Sequence, residues 1–215
     1  MRILESVCAG LMAVIMASCD AHREFPDTAM KTCDILCTDG KVVRYEDMES
    51  QGKTPIAVVF HINQNDQLPG TGYAVYLWDI GQEAYCDSVG MKQSTSSSLT
   101  AYDGNANTYA MYASGTSPAA ETVFDIWRYG QSAYIPSVSE IRLLYASKNV
   151  VNDYIRKCGG DAIPDNPDEC WYWTSTEVKD MESAKAWLFS LASGALQETP
   201  KEQSHKIRPI ITLYN

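Results

Sequence analysis

Few residues of this chain have the types and spacing that catalysis or metal binding requires. The three histidines, His22, His61 and His205, lie far apart, and no pair of Cys-x-x-Cys motifs occurs, so no zinc site is predicted. No Gly-x-Ser-x-Gly sequence marks a serine hydrolase. The Gly-Lys-Thr of residues 52–54 precedes a predicted strand, and Asp47 stands where a phosphate loop needs glycine. We therefore predict no catalysis and no cofactor.

Residues 161–169 form an acidic segment that includes Asp165, Asn166 and Asp168. Calcium binds clustered oxygen ligands, but this segment has no EF-hand spacing. The Glu-Pro-Asn and Trp-Asn-Asp motifs of calcium-dependent animal lectins are also absent from the chain. We interpret the segment as a solvated loop without a metal, and its three named residues as candidates for contacting a ligand.

Cys19 has the surroundings of a lipid-attachment cysteine. An apolar run over residues 7–16 follows Arg2, and two small residues stand directly before the cysteine. The run is too short to cross a bilayer with about 30 Å of hydrocarbon, so it fits a secretory signal. Residues 15–19 resemble the lipobox of bacterial lipoproteins. The alternatives are a buried amino-terminal helix, or an ordinary signal peptide in which the cysteine is incidental.

These features divide the chain into a signal peptide at 1–18, a lipidated tether at 19–32 and one domain at 33–215. We expect the mature protein to be held at the bacterial cell envelope, on the outer membrane. The formal net charge is -10, and removal of the signal leaves it unchanged because Arg2 and Glu5 cancel. Such a charge repels phosphate backbones and anionic lipid heads, so nucleic acid is not a predicted partner and the acyl chains provide the membrane attachment.

Five cysteines remain once Cys8 and Cys19 are set aside. An oxidising envelope permits disulfides, and an odd number leaves at least one thiol unpaired or paired between chains. Cys158 and Cys170 are the predicted pair, because two glycines and two prolines between them suit a compact returning loop.

The elements that must position these residues follow the order strands, helices, strands. The turn Asp39-Gly40 predicts a hairpin, residues 55–62 a strand buried on both faces, and residues 72–78 the next strand. The polar stretch 93–117 is predicted to be mostly loop. Short helices are predicted near 108–113 and over 119–127.

A capping box, Ser137 with Glu140, begins the clearest helix, and a companion helix is predicted over 149–157. Three strands are predicted in the last third of the chain, at 171–174, 186–191 and 207–213. This order indicates an α+β domain rather than an alternating parallel one.

Four segments in sequence order resemble the Lcl-type carboxy-terminal lectin-like domain family of bacterial envelope proteins. They are residues 52–60, 103–108, 135–140, and 172–177 together with 206–209. The resemblance implies a C-type-lectin-like fold over residues 33–215, with twisted antiparallel sheets and two flanking helices, and no known reaction. Formylglycine-generating enzymes share that fold and use cysteines near the carboxy terminus. An oxidase of that kind is disfavoured, because Cys170 is the last cysteine.

Two aromatic residues at the start of a predicted strand are further candidates for ligand contact. Alternate residues of a strand point to opposite faces, so Trp171 and Trp173 share one face while Tyr172 points to the other. We expect Trp173 in the core. Trp171 and Tyr172 adjoin the polar loop and are candidates for stacking against a sugar or peptide.

Arg208 interrupts an otherwise apolar strand. A buried arginine requires a carboxylate partner, and Glu177 and Glu140 each end a segment that matches the family. We predict that Arg208 is partly buried and bonded to one of them, clamping the terminal strand to the helical layer. The alternative is an exposed arginine available to a ligand.

The sequence therefore predicts a noncatalytic, lipid-anchored binding or adhesion module that contacts glycan or protein. A structural subunit of a surface or pilus-type assembly is the second hypothesis, and an envelope enzyme on the same fold is the third.

Overall fold

A computed structural model describes residues 27–64, 68–88, 90–127 and 133–214. Cys19 and the predicted signal peptide lie outside these residues. Within the described ranges, no helix is both long and apolar enough to span a membrane.

Eleven strands and four helices follow one another in these ranges. They are β1 (Ile35–Cys37), β2 (Val42–Val43), α1 (Tyr45–Met48), β3 (Pro55–Ile62), β4 (Gly72–Tyr76), β5 (Ile80–Ala84), α2 (Gly104–Ser114), α3 (Pro118–Trp127), β6 (Ala133–Tyr134), α4 (Val138–Lys157), β7 (Trp171–Glu177), β8 (Lys185–Ser190), β9 (Leu196–Pro200), β10 (Ser204–Ile207) and β11 (Ile210–Leu213).

The strands form two sheets, which confirms the α+β class. The larger sheet has the order β2-β1-β3-β4-β11-β6 and is antiparallel throughout. The smaller sheet has the order β5-β10-β7-β8-β9, with β10 and β7 parallel. The predicted hairpin is confirmed: β1 pairs with β2, and Gly40 takes the positive φ of 79° that its turn requires.

Strand β3 is buried on both faces, as its continuous apolar sequence predicts. Ala57 and Val59 belong to one core cluster and Val58 and Phe60 to another, because successive side chains point to opposite sides of the sheet. Helix α4 packs on the side of Val58, and α3 contributes to the cluster on the other side. The smaller sheet contributes residues to both clusters. The larger sheet thus has core residues packed on both of its faces.

The capping box is confirmed. Ser137 Oγ accepts from the Glu140 amide at 3.4 Å, and Glu140 Oε2 accepts from the Ser137 amide at 2.7 Å. The prediction of two successive helices was wrong, since α4 runs unbroken from Val138 to Lys157. No glycine or proline lies inside it, so nothing in its sequence stops propagation of the helix.

The predicted strand at 207–213 is two strands in different sheets. The Arg208-Pro209 pair carries the chain across, from β10 in the smaller sheet to β11 in the larger. Proline has no amide hydrogen for a sheet ladder, which favours a break at this position. Strand β11 then lies between β4 and β6, with all four residues buried. The two sheets are therefore joined at Arg208.

Candidate functional site

A groove runs beside Trp171, at the place where the smaller sheet meets the loop 161–169. We call it the Trp171 groove. It encloses about 310 Å³ and adjoins a second depression of about 350 Å³. The two share Gln82, Glu169 and Lys206 in their linings.

Neighbouring strands bring the lining residues together. Strand β7 supplies Trp171, and the parallel pairing of Lys206 with Tyr172 places β10 directly beside it. His205 lies on the same strand β10 and lines the groove. The acidic loop adds Asp168 and Glu169. The lining thus combines one large ring with carboxylates, amides and an ammonium, a set that suits a polar ligand.

His205 contributes a neutral ring. Its imidazole packs against the Trp173 indole with the ring centroids 5.2 Å apart. Burial lowers the pKa of His205, because the charged form loses hydration. At neutral pH the imidazole therefore offers one hydrogen-bond donor and one acceptor, without a charge.

The structure places the two other aromatic residues of this strand in the core. Trp173 is fully buried, as predicted, and its Nε1 donates to the Glu83 carbonyl at 2.9 Å. Tyr172 is also fully buried, and its hydroxyl donates to Asp79 Oδ2 at 3.2 Å. The proposal that Tyr172 contacts a ligand was wrong, because its face of the strand is covered by the core cluster of α4.

The candidates of the acidic loop separate into two groups. Asp168 lines the Trp171 groove. Asp165 instead pairs with Lys148 of α4 at 2.5 Å, and this contact lowers the pKa of its carboxyl group. The Asn166 amide donates to Glu169 Oε1 at 2.9 Å, and its oxygen accepts from the Asp168 amide at 3.1 Å. Asn166 therefore shapes the loop, and neither it nor Asp165 lines the groove.

Arg208 is fully buried and meets a carboxylate, but not one of the two predicted. Its Nε lies 2.7 Å from Asp79 Oδ1, close enough for an ion pair although poorly aligned for a hydrogen bond. The guanidinium also donates to the carbonyls of Tyr76, Leu77 and Asp161 at 3.1, 3.0 and 2.7 Å. It thus joins the end of β4 to the loop after α4. The alternative of an exposed arginine is contradicted.

The two predicted partners of Arg208 have other roles. Glu177 accepts from the Gln93 amide at 2.8 Å and forms a buried ion pair with Lys201. Glu140 serves the capping box and forms no ion pair within the described ranges. Arg208 was predicted to be partly buried and is fully buried. It does meet a carboxylate, as predicted, but that carboxylate is Asp79 rather than Glu177 or Glu140.

The predicted disulfide is not formed in the structure, where Cys158 and Cys170 both carry free thiols. Cys170 is buried beside Ser190, with its Sγ 3.1 Å from Ser190 Oγ. Cys158 caps α4 and packs against the core cluster that contains Cys37. The chain after Gly160 does not return directly, because the Asp161 amide is held by the Leu77 carbonyl at 2.8 Å.

Asp79, Gln82, His205 and Lys206 were missed by sequence reasoning as parts of this site. They come from β5, β10 and the turn before β5, and no local motif marks them. Within the described residues, no group of three or more histidine, cysteine, aspartate or glutamate side chains is arranged to hold a metal ion.

No protein-family model matches the chain, and none of the curated proteins matches it. Its fold is similar to that of a solved structure, a fimbrial protein from Bacteroides ovatus, with a TM-score of 0.63 and 15% sequence identity. The match covers 86% of this chain and 49% of that one, so this chain spans about half the length of the fimbrial protein.

Proposed function

We propose that this chain is a noncatalytic domain of a bacterial cell-surface assembly of the fimbrial type. The observation that carries the proposal is the likeness of fold to the fimbrial protein over 86% of this chain. The acidic composition agrees with a role outside nucleic-acid binding. The proposal includes a C-type-lectin-like fold of the Lcl-type family and no catalytic activity.

The test of assembly uses the full chain in a bacterium that carries it. Surface fibres are sheared from intact cells and sedimented, and the pellet is probed with an antibody against the mature protein. The proposal expects the protein in the fibre pellet. After crosslinking, it should appear in species larger than the monomer. Recovery only as an uncrosslinked monomer would contradict it.

Attachment to the membrane is proposed to use lipid on Cys19. Cys19→Ser is expected to move the protein from the membrane fraction to the soluble envelope fraction, because the acyl chains provide the anchor. Cys8→Ser, within the proposed signal peptide, is the matched control and should leave the distribution unchanged. An unchanged distribution of the Cys19→Ser protein would overturn this assignment.

A second candidate function, glycan or protein binding, is favoured by the Trp171 groove. The groove offers a surface for stacking on the half-buried Trp171 indole. It also offers hydrogen-bonding groups on Asp168, Glu169 and the neutral His205 ring. Sugars and polar peptides need both kinds of contact. This function is compatible with membership of a surface assembly.

The mature protein can be screened against a glycan array and against envelope extracts, and the hits compared with variants. Trp171→Ala should weaken binding by about 3- to 10-fold, because a stacking contact is lost. Trp78→Ala is the matched control, since Trp78 is an exposed tryptophan outside the groove that packs on Tyr76. Equal loss in both variants, or none in either, would contradict a binding role for the groove.

A further inference from the structure

A second pocket, separate from the Trp171 groove, opens between α2 and the end of β11. We call it the tyrosine pocket. It encloses about 450 Å³, and its lining includes Tyr102, Asp103, Tyr109, Tyr134, Glu140 and Tyr214. Tyr109 and Tyr214, at its rim, are 65% and 71% exposed. The pocket therefore has aromatic walls and an entrance open to solvent.

The floor of the tyrosine pocket is polar and buried. Thr212 Oγ1 lies 2.7 Å from the Tyr134 hydroxyl, which donates to Glu140 Oε1 at 3.3 Å. Glu140 is only 1% exposed. Its Oε1 has no other hydrogen-bond partner in the described ranges, while Oε2 is engaged by the Ser137 amide. A carboxylate oxygen has capacity for more than one donor, so Oε1 is incompletely satisfied.

The sequence brings α2 unusually close to this carboxylate. A Cβ added to Gly104 would lie 2.2 Å from Glu140 Oε2, so only glycine permits the approach. The neighbouring hydroxyl of Tyr73 is buried without a hydrogen-bond partner. Glu140, Tyr102 and Tyr214 all act electrostatically on that hydroxyl, which places it beside the same pocket. Two polar groups near the floor thus lack full partners.

No lysine or arginine of the described ranges forms an ion pair with Glu140. Asp103, also an acid, acts electrostatically on the Glu140 carboxyl and supplies no counter-charge. Burying an unpaired carboxylate is costly, and a positive group brought to the floor would remove that cost. Tyrosine rings attract cations through their faces as well.

We propose that the tyrosine pocket binds a lysine or arginine side chain of a partner polypeptide. Both side chains have an apolar stem that fits aromatic walls and a cationic head that fits an acidic floor. A neutral sugar would leave the buried carboxylate without a counter-charge. The pocket differs from the Trp171 groove in its residues and in the charge of its ligand, so the proposal does not depend on glycan binding there.

The proposal predicts a specific pH dependence. Burial raises the pKa of Glu140 to about 7, against the effect of the Ser137 and Tyr134 hydrogen bonds. Burial also raises the pKa of Tyr73 and of Tyr134, so these two hydroxyls stay protonated near neutrality. The carboxyl is mostly protonated at pH 6 and mostly ionised at pH 8, and a cation should therefore bind about tenfold more tightly at pH 8.

The experiment is an NMR titration of the mature protein with three capped tripeptides, acetyl-Gly-X-Gly-amide, where X is lysine, arginine or norleucine. The lysine and arginine peptides should shift the signals of Tyr109 and Tyr214 until the shift saturates. Their dissociation constants should be about tenfold lower at pH 8 than at pH 6. The norleucine peptide, which lacks the cation, should bind at least tenfold more weakly at pH 8 and show no pH dependence.

Variants locate the site and guard against misfolding. Glu140→Gln should abolish the pH dependence, and Tyr109→Ala should weaken binding by about 3- to 10-fold. Tyr109 is exposed, so its variant keeps the test valid if Glu140→Gln fails to fold. Tyr145→Ala, a tyrosine outside the pocket, is the control and should bind as the parent does. Equal binding of the norleucine peptide, absence of saturable binding, or an unaffected Tyr109→Ala protein would overturn the proposal.

Discussion

Two buried ion pairs in the described part of the chain differ in what surrounds them. In the Lys201–Glu177 pair both side chains are almost fully enclosed, at 3% and 1% exposure, and the other contacts of both groups are internal. In the Arg208–Asp79 pair the arginine is enclosed, but Asp79 is 17% exposed and lines the depression beside the Trp171 groove. One ion pair is thus enclosed by protein, and the other borders a solvent-accessible depression.

Glu140 completes the comparison as a buried carboxylate that pairs with no lysine or arginine among residues 27–64, 68–88, 90–127 and 133–214. Where a carboxylate is enclosed with its counter-charge, its role is structural. Asp79 and Glu140 instead each line a cavity. Substitutions at or beside Glu177, Asp79 and Glu140 distinguish an enclosed carboxylate from one that lines a cavity.

The largest effect is expected from Lys201→Ala. It leaves Glu177 charged and enclosed, and removing one partner of a buried pair costs about 3–5 kcal/mol of unfolding free energy. Urea denaturation monitored by tryptophan fluorescence measures this. Lys185→Ala is the control, because its pair with Glu198 is more exposed and should contribute less than about 1 kcal/mol. Similar losses in both variants would show that enclosure does not strengthen the Lys201 pair.

Arg208→Ala is expected to cost about 3 kcal/mol, less than Lys201→Ala. Without Arg208, the Asp79 carboxylate still accepts the hydrogen bond from the Tyr172 hydroxyl and still lies 3.4 Å from the Lys206 ammonium. Water in the depression can also hydrate it. The same denaturation experiment tests the order of the two variants. If Arg208→Ala lost more unfolding free energy than Lys201→Ala, solvent access to Asp79 would not reduce the cost of removing its partner.

The third prediction concerns pH. The pKa of Glu140 is raised to about 7 in the folded protein, so its stabilising contribution is complete below about pH 4.5 and is lost as pH rises through 7. The loss should amount to about 3 kcal/mol between these limits. Glu140→Gln, which keeps an acceptor for Ser137, should remove this part of the pH dependence. Parallel stability profiles for the two proteins between pH 4 and 8 would refute it.

The smallest effect is expected from Lys206→Ala. The pair with Asp79 is partly exposed and secondary to Arg208, so its loss should change the unfolding free energy by less than about 1 kcal/mol. Thermal melts at low and high salt provide the measurement. A loss as large as that of Arg208→Ala would show that both cations share the stabilisation of Asp79 equally.

Structural features that depend on residues close together in sequence could be predicted. The Asp39-Gly40 turn, the capping box of α4 and the doubly buried β3 all depend on local geometry and were found where expected. The extent of α4 was misjudged, because a helix continues unless a residue stops it. Burial of Arg208 also followed from its apolar neighbours.

Features that depend on distant residues were not predictable from one sequence. Asp79 lies 129 positions before Arg208, and nothing in its own neighbourhood identifies it as the partner. The Trp171 groove likewise combines β5, β7 and β10 with a loop, so His205 and Gln82 had no local signature. The division of residues 204–213 between two sheets was hidden for the same reason, since both halves have strand-like sequences.

The position of β10 and β11 has a consequence for the order of folding. Each is an interior strand of its sheet, and each pairs with a strand more than a hundred residues earlier, as Ile210 does with Val75 and His205 with Glu83. A chain emerging from its amino-terminal side therefore cannot close either sheet until residues 204–213 are available. Contacts of such long sequence separation slow folding, since a large loop must close before they form. Until then the edges of β4, β5 and β7 stay open, and this interval is when the chain is most exposed to aggregation.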